Sequence, residues 1–148
     1  MSITRVYERI YISDGPTAMN PGVVERFGIT GIIRTASEFD THVHASQDVS
    51  VVDGIIYDEK PSREVNTDEQ INTAVNGLSR MYDEGRTVLS HCAAGHNRSG
   101  AIVVGFLTQA GIFRNVYESY GVIAAIRALH IQPLLLQHLH RLYPGDNA

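Results

Sequence analysis

The segment that decides the fold is TVLSHCAAGHNRSG, residues 87–100. Its first five residues, Thr87 to His91, form a short apolar run that predicts a buried strand. The stretch from Arg98 to Ala110 predicts a long apolar helix, which Gly111 ends. A tight loop lies between them, so the segment predicts a strand, a loop and the N-terminus of a helix in direct succession.

The rest of the chain alternates predicted strands with predicted helices. Further strands are predicted at Val6–Ile12, Ile29–Arg34 and Val49–Tyr57. Helices are predicted at Val24–Phe27, from the capping box Thr67/Gln70 to Gly85, at Val116–His130 and at Pro133–Leu142. Such alternation indicates an α/β fold with a central, mainly parallel sheet of four to five strands flanked by helices. Ligands of such sheets bind at the carboxyl ends of the strands, which directs attention to the loop after His91.

The length of 148 residues predicts one domain over residues 1–148, and the composition is that of a globular protein. The charge of −4, from 12 basic and 16 acidic side chains, provides no bulk attraction to nucleic acid or to an anionic membrane. No apolar run reaches the roughly 18 residues of a membrane span, and no signal peptide is recognisable. Cys92 is the single cysteine, so no disulfide can form within the chain. We therefore expect a soluble protein of the cytoplasm.

The loop after His91 has the residues of a phosphate site. Backbone N–H groups in a loop that leads into a helix can converge on an anion, and the helix dipole favours negative charge there. Gly95 permits the tight turn, and Arg98 can pair with two phosphate oxygens at once. We expect phosphate to be bound by Ala93, Ala94, Gly95, His96, Asn97 and Arg98.

Cys92 stands at the start of this loop, where the helix terminus and Arg98 favour the nucleophilic thiolate. Five residues separate Cys92 from Arg98, enough to surround a phosphoryl group. The thiolate can attack phosphorus and form a cysteinyl-phosphate, which is then hydrolysed. Ser99 can hydrogen-bond the sulfur and help it to leave. Because these groups supply the charge complementarity, neither a metal nor a cofactor is expected.

This pattern resembles the signature of the dual-specificity phosphatases, a family of cysteine-dependent phosphatases. The signature is His-Cys-x-x-Gly-x-x-Arg-Ser/Thr, and His91, Cys92, Gly95, Arg98 and Ser99 match every fixed position. The resemblance extends over nearly the whole chain. It implies the phosphatase-type fold and a phosphoric monoester hydrolase. Its partner would be a phosphorylated protein or peptide carrying phosphotyrosine, phosphoserine or phosphothreonine.

The resemblance also implies a general acid, an Asp on a loop some thirty residues before the cysteine. Asp58 lies 34 residues before Cys92 and is the favoured candidate. The adjacent Glu59 is the alternative, since the residues that follow depart from the family's usual sequence. His91 is expected to be buried scaffolding. His96 and Asn97 are expected at the rim of the pocket, with their side chains pointing outward.

Other functions remain open on the same residues. An RNA 5′-phosphatase or a phospholipid phosphatase would use the same scaffold, and the Asn97-Arg98 pair resembles the loop of capping-type RNA triphosphatases. The negative net charge opposes an RNA substrate. A phosphate-dependent binding module would keep the loop without turnover, and the intact Cys92, Arg98 and Ser99 speak against it.

Overall fold

A computed structural model describes residues 2–60 and 64–146. Within these residues the chain forms five strands, six α-helices and one short 3₁₀ helix at Thr41–His44. The strands are β1 (Ile3–Tyr7), β2 (Ile10–Ser13), β3 (Gly31–Arg34), β4 (Ser50–Asp53) and β5 (Val88–His91). The helices are α1 (Gly15–Met19), α2 (Pro21–Arg26), α3 (Asp68–Asp83), α4 (Arg98–Gln109), α5 (Val116–Ile126) and α6 (Pro133–Leu142).

The strands form one sheet in the order β1-β2-β5-β3-β4. Only β1 and β2 are antiparallel, and β2, β5, β3 and β4 run parallel to one another. The predicted α/β fold with a mainly parallel sheet of four to five strands is confirmed. The central strand β5 ends with His91 opposite Ser13 and Arg34. The loop that follows it therefore lies in the middle of the sheet's carboxyl edge.

Helices cover both faces of the sheet, and the alternation of side chains along the strands shows why. On β3, Ile33 packs into the larger core with α3 and α4, whereas Ile32 packs into a smaller cluster beneath α1 and α2. On β5, Val88 likewise packs into the larger core and Leu89 into the smaller cluster. Continuous apolar strands of this kind are typical of sheets buried on both faces.

The prediction of a single strand over Val6–Ile12 is wrong. The segment contains a hairpin, in which β1 ends at Tyr7 and β2 begins at Ile10. The reversal places Glu8 at φ 42°, in the left-handed region. Tight hairpin turns favour Gly, Asn or Asp. With Glu8 and Arg9 at the turn, local sequence contains no signal for it.

Several other boundaries differ from the predictions. The residues before Gly28 form two short helices, because Asp14 and Asn20 each cap one. The predicted strand Val49–Tyr57 ends at Asp53. The predicted helix Val116–His130 ends at Ile126. In contrast, the capping box at the start of α3 is confirmed, with both of its hydrogen bonds present.

Candidate active site

Cys92 lies at the bottom of the loop between β5 and α4, which we call the phosphate loop (residues 92–98). The side chain is 2% exposed. The backbone N–H of Gly95 donates to Cys92 Sγ at 3.2 Å, and Ser99 Oγ lies 3.2 Å from the same sulfur. The sulfur thus faces the N-terminus of α4 and two polar hydrogens. All of these features stabilise negative charge on sulfur.

Three hydrogen bonds from neighbouring segments hold carbonyl oxygens of the phosphate loop on its outer side. The carbonyl oxygen of Ala93 accepts from Gly15 N at 2.9 Å, and that of His96 accepts from His130 N at 2.6 Å. The carbonyl oxygen of Gly95 accepts from Arg127 Nε at 2.8 Å. Because the C=O and N–H of one peptide group point in opposite directions, the amide that follows each of these outward carbonyls points inward. A ring of inward amides is the arrangement that binds a tetrahedral anion.

Gly95 is required by the backbone at its position. Its φ is 77°, which L-residues with a side chain rarely adopt. A Cβ there would stand 2.6 Å from Arg127 Nη2 and 2.7 Å from the backbone nitrogen of Asp14. Both conformation and space therefore demand glycine.

Arg98, the first residue of α4, extends its guanidinium to two carboxylates. Nη1 and Nη2 donate to the two oxygens of Glu38 at 3.2 and 2.8 Å. Nε lies 3.2 Å from Asp58 Oδ1. The hydrogen bonds from Arg98 lower the pKa of the Glu38 carboxyl. The paired N–H groups on Glu38 show that the fork is oriented for bidentate binding of an anion.

The structure places the two candidate acids in different surroundings. Asp58 Oδ1 accepts from Asn97 Nδ2 at 2.8 Å, so this carboxylate borders the phosphate loop. Glu59 turns inward, is 2% exposed and contacts His138 at 2.8 Å. Of the two, only Asp58 is brought together with Arg98. A cleft of about 180 Å³ lies here, lined by Tyr57, Asp58, Lys60, Glu64 and Arg98.

Comparison with known proteins agrees with this geometry. The family model described as "Dual specificity phosphatase, catalytic domain" matches residues 10–143. The chain belongs to this family. It is therefore a cysteine-dependent phosphatase, and its substrates are phosphorylated.

Solved structures of similar fold include human DUSP28, at 14% identity, with a TM-score of 0.80 over 97% of this chain and 94% of that one. DUSP15 is 22% identical, with a TM-score of 0.79 over 95% and 86%. PTPMT1 in complex with PI(5)P is 21% identical, with a TM-score of 0.77 over 97% and 96%. At these identities the likeness shows the fold alone.

The predicted positions of His91 and His96 agree with the structure, whereas the predicted position of Asn97 does not. His91 is fully buried, as predicted for scaffolding, and Thr41 Oγ1 lies 2.7 Å from its Nε2. Burial lowers the pKa of His91 to about 4, so the ring is neutral near pH 7. His96 is exposed as expected. The prediction that Asn97 points outward is wrong, because its side chain is buried between Asp58 and the backbone of Gln132.

Sequence reasoning missed Arg127, which supports the phosphate loop from behind. Besides Gly95 O, its guanidinium donates to Thr4 Oγ1 at 3.0 Å and Ser2 Oγ at 2.7 Å. Burial lowers its pKa from the ordinary value. The residue lies just beyond α5, where the chain leaves the helix to reach the loop. A charged residue within the predicted apolar helix was the available signal.

Neither a metal centre nor a membrane span is found among residues 2–60 and 64–146. No group of three or more His, Cys, Asp or Glu side chains there could hold a metal ion. No helix there is both long and apolar enough to cross a bilayer. The expectation of chemistry without a metal or cofactor stays a prediction.

Proposed function

We propose that the chain is one catalytic domain, residues 1–148, that removes phosphate from phosphotyrosine and from phosphoserine or phosphothreonine in proteins. The reaction proceeds through a cysteinyl-phosphate on Cys92. The observation that carries this proposal is the position of Cys92 Sγ, 3.2 Å from both the Gly95 amide and the Ser99 hydroxyl at the start of α4. A reducing compartment such as the cytoplasm suits it, because Cys92 is a free thiol.

When substrate binds, its phosphate replaces the Glu38 carboxylate on the guanidinium of Arg98. Its two terminal nitrogens are bonded to the two oxygens of Glu38. A phosphate dianion offers the same bidentate geometry with more charge, so it competes for this fork. The inward amides of the phosphate loop bind the remaining oxygens. In the transition state these donors meet the charge on the equatorial oxygens.

In the first step the Cys92 thiolate attacks phosphorus, the S–P bond forms and the bond from phosphorus to the ester oxygen breaks. The leaving oxygen needs a proton as it departs. Asp58 supplies that proton in its acid form, because it borders the phosphate loop at Asn97 and Arg98. The products are the free alcohol or phenol and the cysteinyl-phosphate.

In the second step water attacks the phosphorus of the cysteinyl-phosphate. The Asp58 carboxylate takes a proton from this water, which restores the acid. The S–P bond breaks and its electron pair returns to sulfur. Ser99 donates a hydrogen bond to Cys92 Sγ as negative charge develops there, across the observed 3.2 Å contact.

The charges at the mouth favour a protein over a polyanionic substrate. Glu38 and Glu64 stand beside Arg98, together with Asp58, and Lys60 is the one cation besides Arg98 among the described residues that line this cleft. Additional phosphates of a phosphoinositide or an RNA end would meet these carboxylates. The second candidate is nevertheless a phospholipid phosphatase, because PTPMT1, of similar fold, has been solved with PI(5)P.

A substrate panel tests the proposal with wild type, Cys92→Ser and Asp58→Asn. The panel contains an aryl phosphate, phosphopeptides that carry phosphoserine, phosphothreonine or phosphotyrosine, RNA with 5′-phosphate ends, and phosphoinositides. We expect wild type to release phosphate from the aryl phosphate and the phosphopeptides, and Cys92→Ser to release none. Release only from RNA or phosphoinositides would overturn the protein assignment. Tight phosphopeptide binding without any turnover would identify a binding module instead.

A further inference from the structure

Glu59, next to the proposed acid, is a buried carboxylate in an unusual backbone conformation. Its φ is 58°, and the residue is 2% exposed. A non-glycine residue stays in the left-handed region only where its surroundings hold it there. The side chain points away from the phosphate loop, so the proposed reaction makes no direct use of it.

Glu59 is bound by two donors inside the protein. Its Oε2 accepts from Asn66 Nδ2 at 2.8 Å and lies 2.8 Å from His138 Nδ1. The other ring nitrogen of His138 lies 2.8 Å from Asp68 Oδ1. Carboxylates only accept, so both contacts are hydrogen bonds when both ring nitrogens carry protons. Hydrogen bonds from Arg141 and His138 hold the pKa of Asp68 below its ordinary value.

The same contacts control the residues on either side of Asp58. Asn66 Oδ1 accepts from the backbone N–H of Tyr57 at 2.7 Å, and Asn66 Nδ2 donates to the Tyr57 carbonyl oxygen at 3.0 Å. Tyr57 before Asp58 and Glu59 after it are thus both anchored. The backbone of Asp58 has little freedom left, and its side chain is directed at Asn97.

We propose that Glu59 and His138 are positioning residues, which fix Asp58 where it can protonate the leaving group. This inference rests on the proposed function, since it assumes that Asp58 is the acid. His138 belongs to α6 and Asp68 begins α3. Through Glu59, the contact between His138 and Asp68 therefore connects the position of Asp58 to α6 and α3. Neither residue touches the substrate.

The test is the ratio of kcat/KM for 2,4-dinitrophenyl phosphate to that for phenyl phosphate. The first leaving group needs no proton and the second does, so the ratio measures acid catalysis. It does not change with the fraction of folded enzyme, because that fraction affects both substrates equally. We expect Glu59→Ala and His138→Ala each to raise the ratio roughly 10- to 100-fold, as expected for a displaced catalytic group.

Three variants separate this role from others. Glu59→Gln keeps an acceptor for His138 and Asn66, and we expect it to raise the ratio less than Glu59→Ala does. The double variant Glu59→Ala/His138→Ala removes both partners of this contact together, so neither is left buried without the other. We expect its ratio to match those of the single variants, because the two residues act as one unit. His140→Ala, on the same helix but packed against Tyr117, should leave the ratio unchanged.

The outcomes distinguish this inference from the proposed function. If wild type hydrolyses neither aryl phosphate, the proposed function fails. If wild type is active and Asp58→Asn raises the ratio while the Glu59 and His138 variants do not, the positioning role is overturned and the proposed function stands. If Asp58→Asn leaves the ratio unchanged, the premise and the inference fall together. A Glu59→Gln effect as large as that of Asp58→Asn would also overturn the positioning role, because a variant that keeps the acceptor for His138 and Asn66 should remove only part of the acid's effect.

Discussion

Replacing Asp58 by Asn removes a transferable proton while keeping the shape of the side chain. The amide oxygen of an asparagine can still accept from Asn97 Nδ2, which donates to Asp58 Oδ1 at 2.8 Å. It can also still face Arg98 Nε, now 3.2 Å away. Asp58→Asn therefore leaves the phosphate loop in place, and any loss of rate comes from the missing proton.

The size of the loss follows from the leaving group. A positioned general acid accelerates a reaction about 10²- to 10⁴-fold, which is about 3 to 5 kcal/mol of transition-state stabilisation. This full loss is expected for phenyl phosphate, whose phenoxide is a poor leaving group. For 2,4-dinitrophenyl phosphate we expect almost none. The attack by Cys92 Sγ is the same in both reactions.

The assay is kcat/KM for a series of aryl phosphates of increasing phenol basicity. Wild type should give a shallow dependence, and Asp58→Asn a steep one. Glu59→Gln makes the same chemical change one residue further on, and we expect it to steepen the dependence less than Asp58→Asn does, because Glu59 only positions Asp58. Equal losses for every leaving group, or a steep dependence in Glu59→Gln alone, would refute the assignment of Asp58.

Further predictions concern groups around Cys92. Ser99→Ala removes the contact to Sγ and should slow hydrolysis of the cysteinyl-phosphate roughly 10- to 100-fold, seen as a burst of phenol in stopped-flow. Gly95→Ala should lower Tm and abolish vanadate binding, because the left-handed conformation costs roughly 1–2 kcal/mol before the clash with Arg127 is added; unchanged binding would contradict this. Burial lowers the pKa of His91 from 6.5 to about 4. As the pH falls, His91 therefore takes up a proton in the unfolded chain at a higher pH than in the folded chain. Stability should be full above pH 6.5 and fall by up to about 3 kcal/mol as the pH approaches 4. Urea unfolding of wild type and His91→Gln at several pH values checks this, and an equal fall in both would exclude His91 as the cause.

The arrangement of the phosphate loop could be predicted from sequence because it is local. Cys92, Gly95, Arg98 and Ser99 lie within eight positions of one strand–loop–helix segment. Their spacing predicts that a thiol, loop amides and a guanidinium lie at one site. The place of that segment at the carboxyl edge of the sheet follows from the alternation of strands and helices.

The support of the site could not be predicted because it depends on contacts distant in sequence. Arg127 reaches Gly95 across 32 residues, and His138 reaches Glu59 across 79. Asn97 turns inward because Asp58 offers it an acceptor 39 residues away. Residue type and periodicity report which side chains are apolar. They do not report which polar groups meet after the chain has folded.

The most direct measurement is the trapping of the covalent intermediate. Wild type and Ser99→Ala are mixed with an aryl phosphate, quenched in acid within the first turnover and analysed by intact-mass and peptide-mapping spectrometry. We expect an added phosphoryl group on Cys92, more abundant in Ser99→Ala and absent from Cys92→Ser. Turnover at full rate with no covalent phosphate, or with phosphate on a different residue, would contradict it.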